Sequence, residues 1–264
     1  MYFWLFKNRY NITSLELWRF LKKPTVKKIA LRYIKNICYL NNVIEVSFNN
    51  IEDKLYWPAQ YNLEYLYQVC AEAFDVDDWH NYESEVTQVK DDDIIIDIGA
   101  AEGLFSLSKV KKCKKIYIVE PNEVFFNTLN ETFSKYKPEK VELFNVAIGN
   151  KESSVKINEN SISSTISESK DGDKRITSLD NLLNGKDKIT FLKADVEGYE
   201  MELLKGATKI IKNNKPKMSI TCYHKENRHE EIINFVKNLI PEYKYKLRGI
   251  TQFDGKPVII HFYI

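Results

Sequence analysis

Residues 94–105 read IIIDIGAAEGLF, and their pattern indicates the fold class. A β-branched run ends in an acid and passes through a glycine turn into a segment with helical spacing. Such a junction leaves backbone N–H groups at the start of the helix free to bind an anionic or polar group, and Gly99 lets a ligand approach the backbone closely. The stretch therefore predicts a strand, a ligand-binding turn and a helix.

The glycine spacing narrows the choice of cofactor. A dinucleotide-binding turn has the pattern Gly-x-Gly-x-x-Gly, whereas here three residues separate Gly99 from Gly103 and Asp97 precedes them. An acid two residues before the first glycine repels a pyrophosphate and attracts an ammonium or sulfonium group. The turn therefore favours S-adenosylmethionine over NAD.

From about residue 91 the chain alternates short β-branched runs with segments of helical spacing. The predicted strands lie at 94–97, 116–120, 141–148, 189–195 and 218–223. Because parallel strands are joined by right-handed crossovers, the pattern predicts an α/β fold with a doubly wound sheet in a three-layer sandwich. Residues 243–248 and 258–263 predict a C-terminal antiparallel hairpin, and residues 152–173 predict a long loop or lid.

Carboxylates stand at the ends of the predicted strands. Glu120 lies 17 residues after Gly103, where a carboxylate can accept both hydroxyls of a ribose. Asp195 and Glu197 follow the fourth strand, at the edge where open α/β sheets bind ligands. There they can hold the cofactor's cation, orient a substrate hydroxyl or bind a divalent metal, although no spacing of His, Asp and Glu implies a metal. Alternatively, they only complement the dipole of the next helix.

The charge is nearly balanced overall but not along the chain. The 264 residues carry 39 basic and 37 acidic side chains, a formal charge of +2, which excludes a polyanion binder whose whole surface is basic. Residues 1–40, however, contain nine basic residues and one acid, with aromatic and aliphatic residues between them. This segment predicts either a helical cap with a solvated basic face or a helix that contacts an anionic membrane or an acidic glycan.

The composition also indicates a compartment and a division of the chain. The four cysteines form no Cys-x-x-Cys pair, no secretory leader is recognisable, and no run of about 18 apolar residues would span a bilayer. The chain is therefore expected in the reducing cytoplasm, with peripheral contact at the inner membrane face as an option. A basic, aromatic-rich, mostly helical extension is expected over residues 1–75, and a cofactor-binding domain over residues 76–264.

The ordered motifs resemble those of a known family. The stretches DIIIDIGAAEG, YIVEPN, FNVAIGN, LKADVEGYEMELLKGA, ITCYHKE and KYKLRG are similar to the FkbM-type S-adenosylmethionine-dependent methyltransferases, over about residues 80–264. The resemblance implies a class I methyltransferase (Rossmann-like) fold and methyl transfer to a hydroxyl of a sugar or natural-product scaffold. It also implies that Asp195 lies beside the reacting centre and that Tyr82 and Glu83 meet the substrate. The cofactor residues implied are Asp97, Gly99, Ala100, Ala101, Glu102, Gly103, Glu120, Asn122, Val146, Ala147 and Asp195.

Methyl transfer to a hydroxyl needs a base that helps the hydroxyl lose its proton. His224 follows the fifth strand on the crevice side and is the first candidate, because an unperturbed imidazole is mostly neutral at pH 7; Asp195 and Glu197 compete with it. Arg248 either binds an anionic or hydroxyl-rich substrate or pairs with a local acid. The remaining histidines are expected away from the rim: His80, His229 and His261.

The expected acceptor is a hydroxyl of a saccharide or glycan, which is either lipid-linked, in view of the basic N-terminal segment, or a surface polysaccharide. An Asn-Pro-Pro-Tyr motif would indicate methylation of an exocyclic amine on nucleic acid, but Asp195-Val-Glu-Gly stands in its place. Nucleic acid is therefore not the expected substrate. The alternative is a binding or scaffold protein that keeps the fold without turnover.

Overall fold

Two short helices begin the described part of the chain. The computed structural model describes residues 12–157, 166–168, 174–224, 229–251 and 254–264. Helix α1 (Ser14–Leu21) opens with a capping box, in which Thr13 Oγ1 accepts from the backbone N–H of Glu16 and the Glu16 carboxylate accepts from that of Thr13. The next elements are α2 (Val26–Tyr33), an antiparallel sheet of β1 (Ile34–Tyr39), β2 (Val43–Phe48) and β3 (Leu55–Pro58), and α3 (Leu63–Phe74).

The three-stranded sheet corrects the mostly helical extension that the sequence predicts for residues 1–75. In β2, buried Ile44, Val46 and Phe48 alternate with half-buried residues, which is the period-2 pattern of a strand with one covered face. The basic, exposed helices before it dominate the composition of this segment, so composition alone does not indicate the strands.

A seven-stranded sheet forms the centre of the molecule. The remaining elements are β4 (Ile94–Ile98), α4 (Leu104–Lys109), β5 (Lys115–Val119), α5 (Glu123–Phe133), β6 (Val141–Phe144), β7 (Ala147–Ile148), β8 (Ser153–Ile157), β9 (Ile166–Glu168), β10 (Lys174–Thr177), α6 (Leu179–Leu182), β11 (Phe191–Ala194), α7 (Glu200–Gly206), α8 (Thr208–Asn214), β12 (Lys217–Thr221), α9 (His229–Leu239), β13 (Lys244–Arg248) and β14 (Ile259–Tyr263). The sheet order is β13-β14-β12-β11-β4-β5-β6, with parallel pairing from β12 to β6 and antiparallel pairing of β14 on both sides. The predicted doubly wound sheet and C-terminal hairpin are confirmed.

The order of the strands fixes where a ligand binds. The chain leaves β4 toward β5 and β6, and it later returns to β11 on the other side of β4. This reversal is the topological switch point, where open α/β sheets bind ligands at the carboxyl ends of the strands.

Apolar layers cover both faces of the sheet. On one face, Leu204 of α7 shares a core with Ile96 of β4. On the other face, Val46 and Trp57 of the N-terminal sheet share a core with Ile95. The three-layer arrangement is therefore confirmed, and residues from the N-terminal part share one of its layers with α4 and α5. None of the described helices has the length and apolarity that crossing a membrane requires.

A second, four-stranded sheet corrects two predictions. Its order is β7-β10-β8-β9. The single strand predicted over residues 141–148 is two strands in different sheets, because Asn145 leaves the ladder and donates to the backbone oxygen of Glu120 at 3.0 Å. Within the loop predicted over residues 152–173, β8 and β9 form a hairpin, while residues 158–165 and 169–173 lie outside the described chain. Three of their eight residues are serines and both strands are short, so apolar alternation does not reveal them.

Candidate active site

A cavity of about 380 Å³ opens at the switch point of the central sheet. Its volume falls in the range of roughly 300–1,000 Å³ that is usual for small-molecule sites. The glycine turn and the strand ends contribute Gly99, Ala100, Ala101, Glu102, Glu120, Val146, Ala147, Lys193, Asp195 and Glu197 to its lining. The facing wall, from α3, the segment before β4 and the end of β12, contributes Tyr65, Gln68, Val69, Glu72, His80, Tyr82 and Tyr223. Three of the predicted cofactor residues do not line the cavity: Asp97, Gly103 and Asn122.

The glycine turn adopts a backbone that few residues tolerate. Gly99 has φ +70°, and a Cβ there would lie 1.8 Å from the backbone oxygen of Asp195. Gly103, at φ +81°, would place a Cβ 2.4 Å from Leu129 Cδ2. These glycines therefore let β4 and α4 approach β11 and α5 closely.

The backbone of this turn is already satisfied within the protein. Five of its N–H groups have acceptors: Gly99 and Ala100 donate to Val119 O, Ala101 to Glu120 Oε2, Gly103 to Ala100 O, and Leu104 to Glu102 Oε1. The prediction that these groups are free to bind a ligand is corrected, because neighbouring carboxylates and the end of β5 use them. The Glu102 carboxylate caps α4 in this way, and burial raises its pKa to about 7.

Glu120 reaches the cavity as the sequence predicts. Its Oε2 accepts from Ala101 N at 2.7 Å and its Oε1 accepts from Asn122 N at 2.8 Å. Burial raises the pKa of Glu120 to about 7, against the opposing effect of these two N–H donors. Asn122 itself caps α5, with Oδ1 accepting from Val124 N at 2.9 Å.

Asp97 does not face the cavity but forms a buried ion pair. Its Oδ1 lies 2.9 Å from Lys193 Nζ, and its Oδ2 accepts from Ser106 Oγ at 2.7 Å. Lys193 also donates to the backbone oxygen of Gly99 at 2.6 Å. Burial lowers the pKa of Lys193, but the charges of Asp97 and Asp195 outweigh it and raise the pKa. Asp97 therefore pairs with a lysine of the protein. The sequence predicts that Asp97 attracts the cation of the cofactor, and it does not indicate the pairing with Lys193.

Asp195 lies in the cavity wall as an ionised acceptor. Its Oδ2 accepts from the Tyr82 phenol at 2.6 Å, and its Oδ1 accepts from Thr221 Oγ1 at 3.1 Å. Burial raises the pKa of Asp195, but nearby His80, Lys193 and other donors outweigh burial and lower the pKa. Its predicted position beside the reacting centre is compatible with this environment.

His224 is held as a cation, in contrast to the neutral base that the sequence predicts. Its Nδ1 lies 3.0 Å from Glu200 Oε1 and its Nε2 lies 3.2 Å from Glu197 Oε2. Burial lowers the pKa of His224, but hydrogen bonds to Glu197 and Glu200 and the charge of Asp195 raise it to about 10. At neutral pH both ring nitrogens therefore carry protons, and neither is available to accept one.

His80 lies in the cavity, although the sequence places it away from the rim. Its Nε2 lies 3.3 Å from the Tyr223 phenol and 3.7 Å from Asp195 Oδ2. Glu72 Oε2 lies 3.6 Å from its Nδ1. Residues 79–85 cross the rim of the sheet from the N-terminal layer, and no local pattern in the sequence predicts that path. The other two histidines are outside the lining of this cavity, as predicted.

The predicted substrate residues Glu83 and Arg248 have structural contacts instead. Arg248 Nη1 donates to the backbone oxygen of Glu83 at 2.6 Å, and its Nη2 donates to that of Val76. The Glu83 carboxylate pairs with Lys109. Both residues line a separate cavity of about 680 Å³ on the other side of the segment, whereas Tyr82 lines the cavity at the switch point. Arg248 therefore holds the segment that carries His80 and Tyr82.

One group among the described residues has the spacing of a metal site. Single ligand atoms of Asp195, Glu200 and His224 lie within 4.8 Å of one another. Glu200 Oε1 lies 3.0 Å from Thr221 Oγ1, whose single hydroxyl proton it shares with Asp195, and it also accepts from Val196 N at 3.3 Å and from His224. Hydrogen-bond donors thus surround this oxygen, and His224 supplies the positive charge of the cluster.

The fold and the cavity define a class I methyltransferase-type domain. The model of the methyltransferase FkbM domain matches residues 97–247. This chain belongs to the FkbM methyltransferase family, and the resemblance seen in its motifs is confirmed.

Several solved structures are similar to this chain. Methyltransferase FkbM from Methylobacillus flagellatus KT has 21% identity and a TM-score of 0.50, covering 76% of this chain and 55% of that chain. A tRNA methyltransferase from M. jannaschii has 11% identity and a TM-score of 0.50, covering 86% of this chain and 55% of that chain. A Streptococcus mutans protein in complex with SAH has 18% identity and a TM-score of 0.44, covering 69% and 93%. The chain thus spans about 55% of the first two proteins. No curated protein matches the sequence.

Proposed function

We propose that this protein transfers a methyl group from S-adenosylmethionine to a hydroxyl of a saccharide or glycan. The observation that carries the proposal is the single cavity that holds Glu120 at the end of β5 and Asp195 at the end of β11. These strands flank β4, and neighbouring strands are about 5 Å apart, so one ligand of nucleoside size or larger spans the roughly 10 Å between them.

The residues present fit the cofactor. A carboxylate has about four lone-pair sites, so Glu120 still accepts ribose hydroxyls besides its two backbone donors. Lys193 gives two of its three N–H bonds to Asp97 and Gly99, and its ammonium lies 4.8 Å from the centre of the Tyr82 ring in the cavity wall. We expect the third N–H to meet the carboxylate of the methionine part. The bound cofactor supplies a methyl group on a positively charged sulfur, which becomes a neutral thioether on transfer.

The charge of the lining suits this ligand. Five acids line the cavity against one lysine: Glu72, Glu102, Glu120, Asp195 and Glu197. A negatively charged cavity attracts a sulfonium and an ammonium and repels phosphate groups. The lining therefore favours S-adenosylmethionine over a dinucleotide.

The wall that faces the cofactor residues supports a hydroxyl-rich acceptor. Tyr65, Tyr82 and Tyr223 offer aromatic faces, and Gln68 and Glu72 offer hydrogen-bond acceptors. Neutral sugars use both kinds of contact, whereas the phosphates of nucleic acid are repelled by the acids of the cavity. A glycan fits this wall better than a nucleic acid does.

Two measurements test the function. Calorimetry with S-adenosylmethionine is expected to give binding for the wild type and weaker binding for Glu120→Gln. Mass spectrometry of host glycans, with and without the gene, is expected to show a difference of one methyl group. Binding of the cofactor with no change in any glycan would favour the alternative, a scaffold protein that retains the fold without turnover.

We also propose that α1 and α2 place the protein on an anionic lipid surface at the cytoplasmic face of the membrane. On α1, Leu15, Trp18 and Leu21 follow one another at intervals of three residues and are 55%, 54% and 55% exposed. Three consecutive positions at this spacing form a stripe along one side of a helix. No described part of the chain covers this stripe.

The outer face of α2 combines an apolar side chain with positive charge. Ile29 and Ala30 are buried, and the opposite face carries Leu31, which is 51% exposed, beside three exposed basic residues. These basic residues are Lys27, Lys28 and Arg32. Basic side chains around exposed apolar groups suit a lipid surface rather than a protein groove, because they pair with anionic headgroups while the apolar groups enter the interface.

Vesicle sedimentation tests this contact. We expect binding to vesicles with about one third phosphatidylglycerol and little binding to pure phosphatidylcholine, because each Lys or Arg contributes about 1 kcal/mol near an anionic surface. Lys27→Glu/Lys28→Glu is expected to reduce binding by tenfold or more. The matched control reverses two exposed lysines of α8, Lys209→Glu/Lys212→Glu. Equal losses in both variants would show general charge attraction and contradict a specific face.

A further inference from the structure

We propose that His80 is the general base that takes the acceptor's proton and that Glu72 positions it, an inference that rests on the methyl transfer proposed above. One side of the imidazole meets the cavity, where Nε2 lies 3.3 Å from the Tyr223 phenol and 3.7 Å from Asp195 Oδ2. On the other side, Nδ1 lies 3.6 Å from Glu72 Oε2. A carboxylate behind one nitrogen and a reaction site in front of the other is the arrangement in which an imidazole serves as a base.

The three residues that the sequence suggests as candidate bases already have partners in the fold. His224 has a carboxylate within hydrogen-bond distance of each nitrogen, at 3.0 Å and 3.2 Å, and is a cation at neutral pH, whereas both carboxylates near His80 lie farther away, at 3.6 Å and 3.7 Å. Asp195 accepts two hydroxyl donors and has a lowered pKa, so it is a weak base. Glu197 pairs with His224 at 3.2 Å. Among the described residues of the cavity wall, His80 combines an imidazole with an orienting carboxylate.

The surroundings of His80 fix the direction of its ring. Its backbone N–H donates to Asp78 Oδ1 at 2.8 Å, and the Tyr82 and Tyr223 rings pack edge-on with centroids at 5.2 Å and 5.5 Å. Glu72 accepts from Gln68 Nε2 at 2.9 Å, which holds the carboxylate on the Nδ1 side. Burial and neighbouring acids raise the pKa of Tyr223, so its phenol stays protonated and is a donor for Nε2 when that nitrogen is bare. The acceptor hydroxyl takes the place of that donor.

The proposed step moves one proton and one methyl group. The O–H bond of the acceptor breaks and its proton moves to His80 Nε2. The acceptor oxygen forms a bond to the methyl carbon, while the carbon–sulfur bond breaks and leaves its electron pair on sulfur. The imidazolium that forms lies between the carboxylates of Glu72 and Asp195, which stabilise its charge, and it later releases the proton to water.

Nitrogen NMR of the full-length protein, labelled in its histidine side chains, tests the arrangement without an acceptor. His80→Gln identifies the signals of His80. We expect the neutral ring to carry its proton on Nδ1, toward Glu72, and to leave Nε2 bare. Glu72→Gln is expected to move the proton to Nε2, because a carboxamide can donate to Nδ1. A wild-type ring protonated on Nε2 would overturn the proposal.

Methyl transfer tests the function of the same residue. Labelled S-adenosylmethionine is incubated with a glycolipid fraction from cells that lack the gene. His80→Gln is expected to lower incorporation by about 10²–10⁴-fold while cofactor affinity measured by calorimetry stays within about twofold. The control His229→Gln, on α9 outside the cavity, is expected to retain activity. Full activity of His80→Gln overturns this inference alone, whereas a wild type that binds cofactor and labels no glycan overturns the proposed function.

Discussion

The ammonium group of Lys193 lies 2.9 Å from Asp97 Oδ1, and both side chains are buried beneath the glycine turn. This pair links the acid of the β4 motif to a lysine of β11, 96 residues later in the chain. Asp97 keeps Lys193 charged at the cavity wall, so in the function proposed above it acts on the cofactor through this lysine. The motif acid and the cofactor do not have to touch.

Breaking this pair is expected to destabilise the fold. Asp97→Asn leaves a buried ammonium without its counter-charge, so the free energy of unfolding should fall by about 3–5 kcal/mol. The double variant Asp97→Asn/Lys193→Met removes both charges and should recover most of this loss. Denaturant titration measures both values. A double variant less stable than Asp97→Asn would mean that the ion pair is not the cause.

Gly99 offers a test of the close approach between β4 and β11. Gly99→Ala should cost several kcal/mol, because the new Cβ would lie 1.8 Å from the Asp195 backbone oxygen. Gly185→Ala is the matched control: its φ is +74°, but nothing lies within 4 Å of a Cβ there. The control should show only the backbone strain of about 1–2 kcal/mol. Similar thermal stabilities for the two variants would contradict the steric explanation.

Cofactor affinity is expected to depend on the ionisation of Glu120. Because burial raises its pKa to about 7 and ribose hydroxyls bind the ionised carboxylate, affinity should increase with pH through that value. Calorimetry should give a Kd about tenfold weaker at pH 6 than at pH 8. Glu120→Gln should bind weakly at both pH values. Glu102 also has a pKa of about 7, so Glu102→Gln is the control, and its cofactor affinity should still increase with pH. If the affinity of Glu102→Gln no longer depends on pH, the titrating group is Glu102.

His224 should make stability depend on pH in a defined window. Its pKa is raised from 6.5 to about 10, so its contribution is complete below pH 6.5 and is lost as the pH rises through 10. Urea unfolding of the wild type should therefore show a decline between pH 7 and 9.5, of at most about 5 kcal/mol over the full range. His224→Gln should be less stable at pH 7 and should lose most of this slope. An unchanged slope would show that His224 is not a cation in the folded protein.

The central fold follows from local patterns. The β-branched run before Gly99 is buried at every position of β4, and the glycine spacing produces the turn that brings Ala101 to Glu120. Both features depend on residues close together in the sequence, which is why motif spacing predicts them. The polar strands β8 and β9 have no such pattern, so the same reasoning predicts a loop.

The chemistry of the site depends on contacts between distant parts of the chain. In the sequence, Lys193 is only one residue of a predicted buried strand. The ion pair that it forms with Asp97 becomes visible only in the folded structure. His80 precedes the first predicted strand, and the contacts of Arg248 bring its segment over the cavity. An isolated histidine is mostly neutral at pH 7, but the three carboxylates around His224 keep this residue protonated. Sequence motifs locate the cavity correctly, whereas proton positions depend on tertiary neighbours.

The place of β14 in the sheet has a consequence for protein synthesis. This strand lies between β12 and β13, so both of its neighbours are made before it. Until residues 259–263 leave the ribosome, one edge of β12 has no partner, and an exposed edge pairs readily with other chains. We therefore expect the nascent polypeptide to depend on chaperone protection until its final hairpin is inserted.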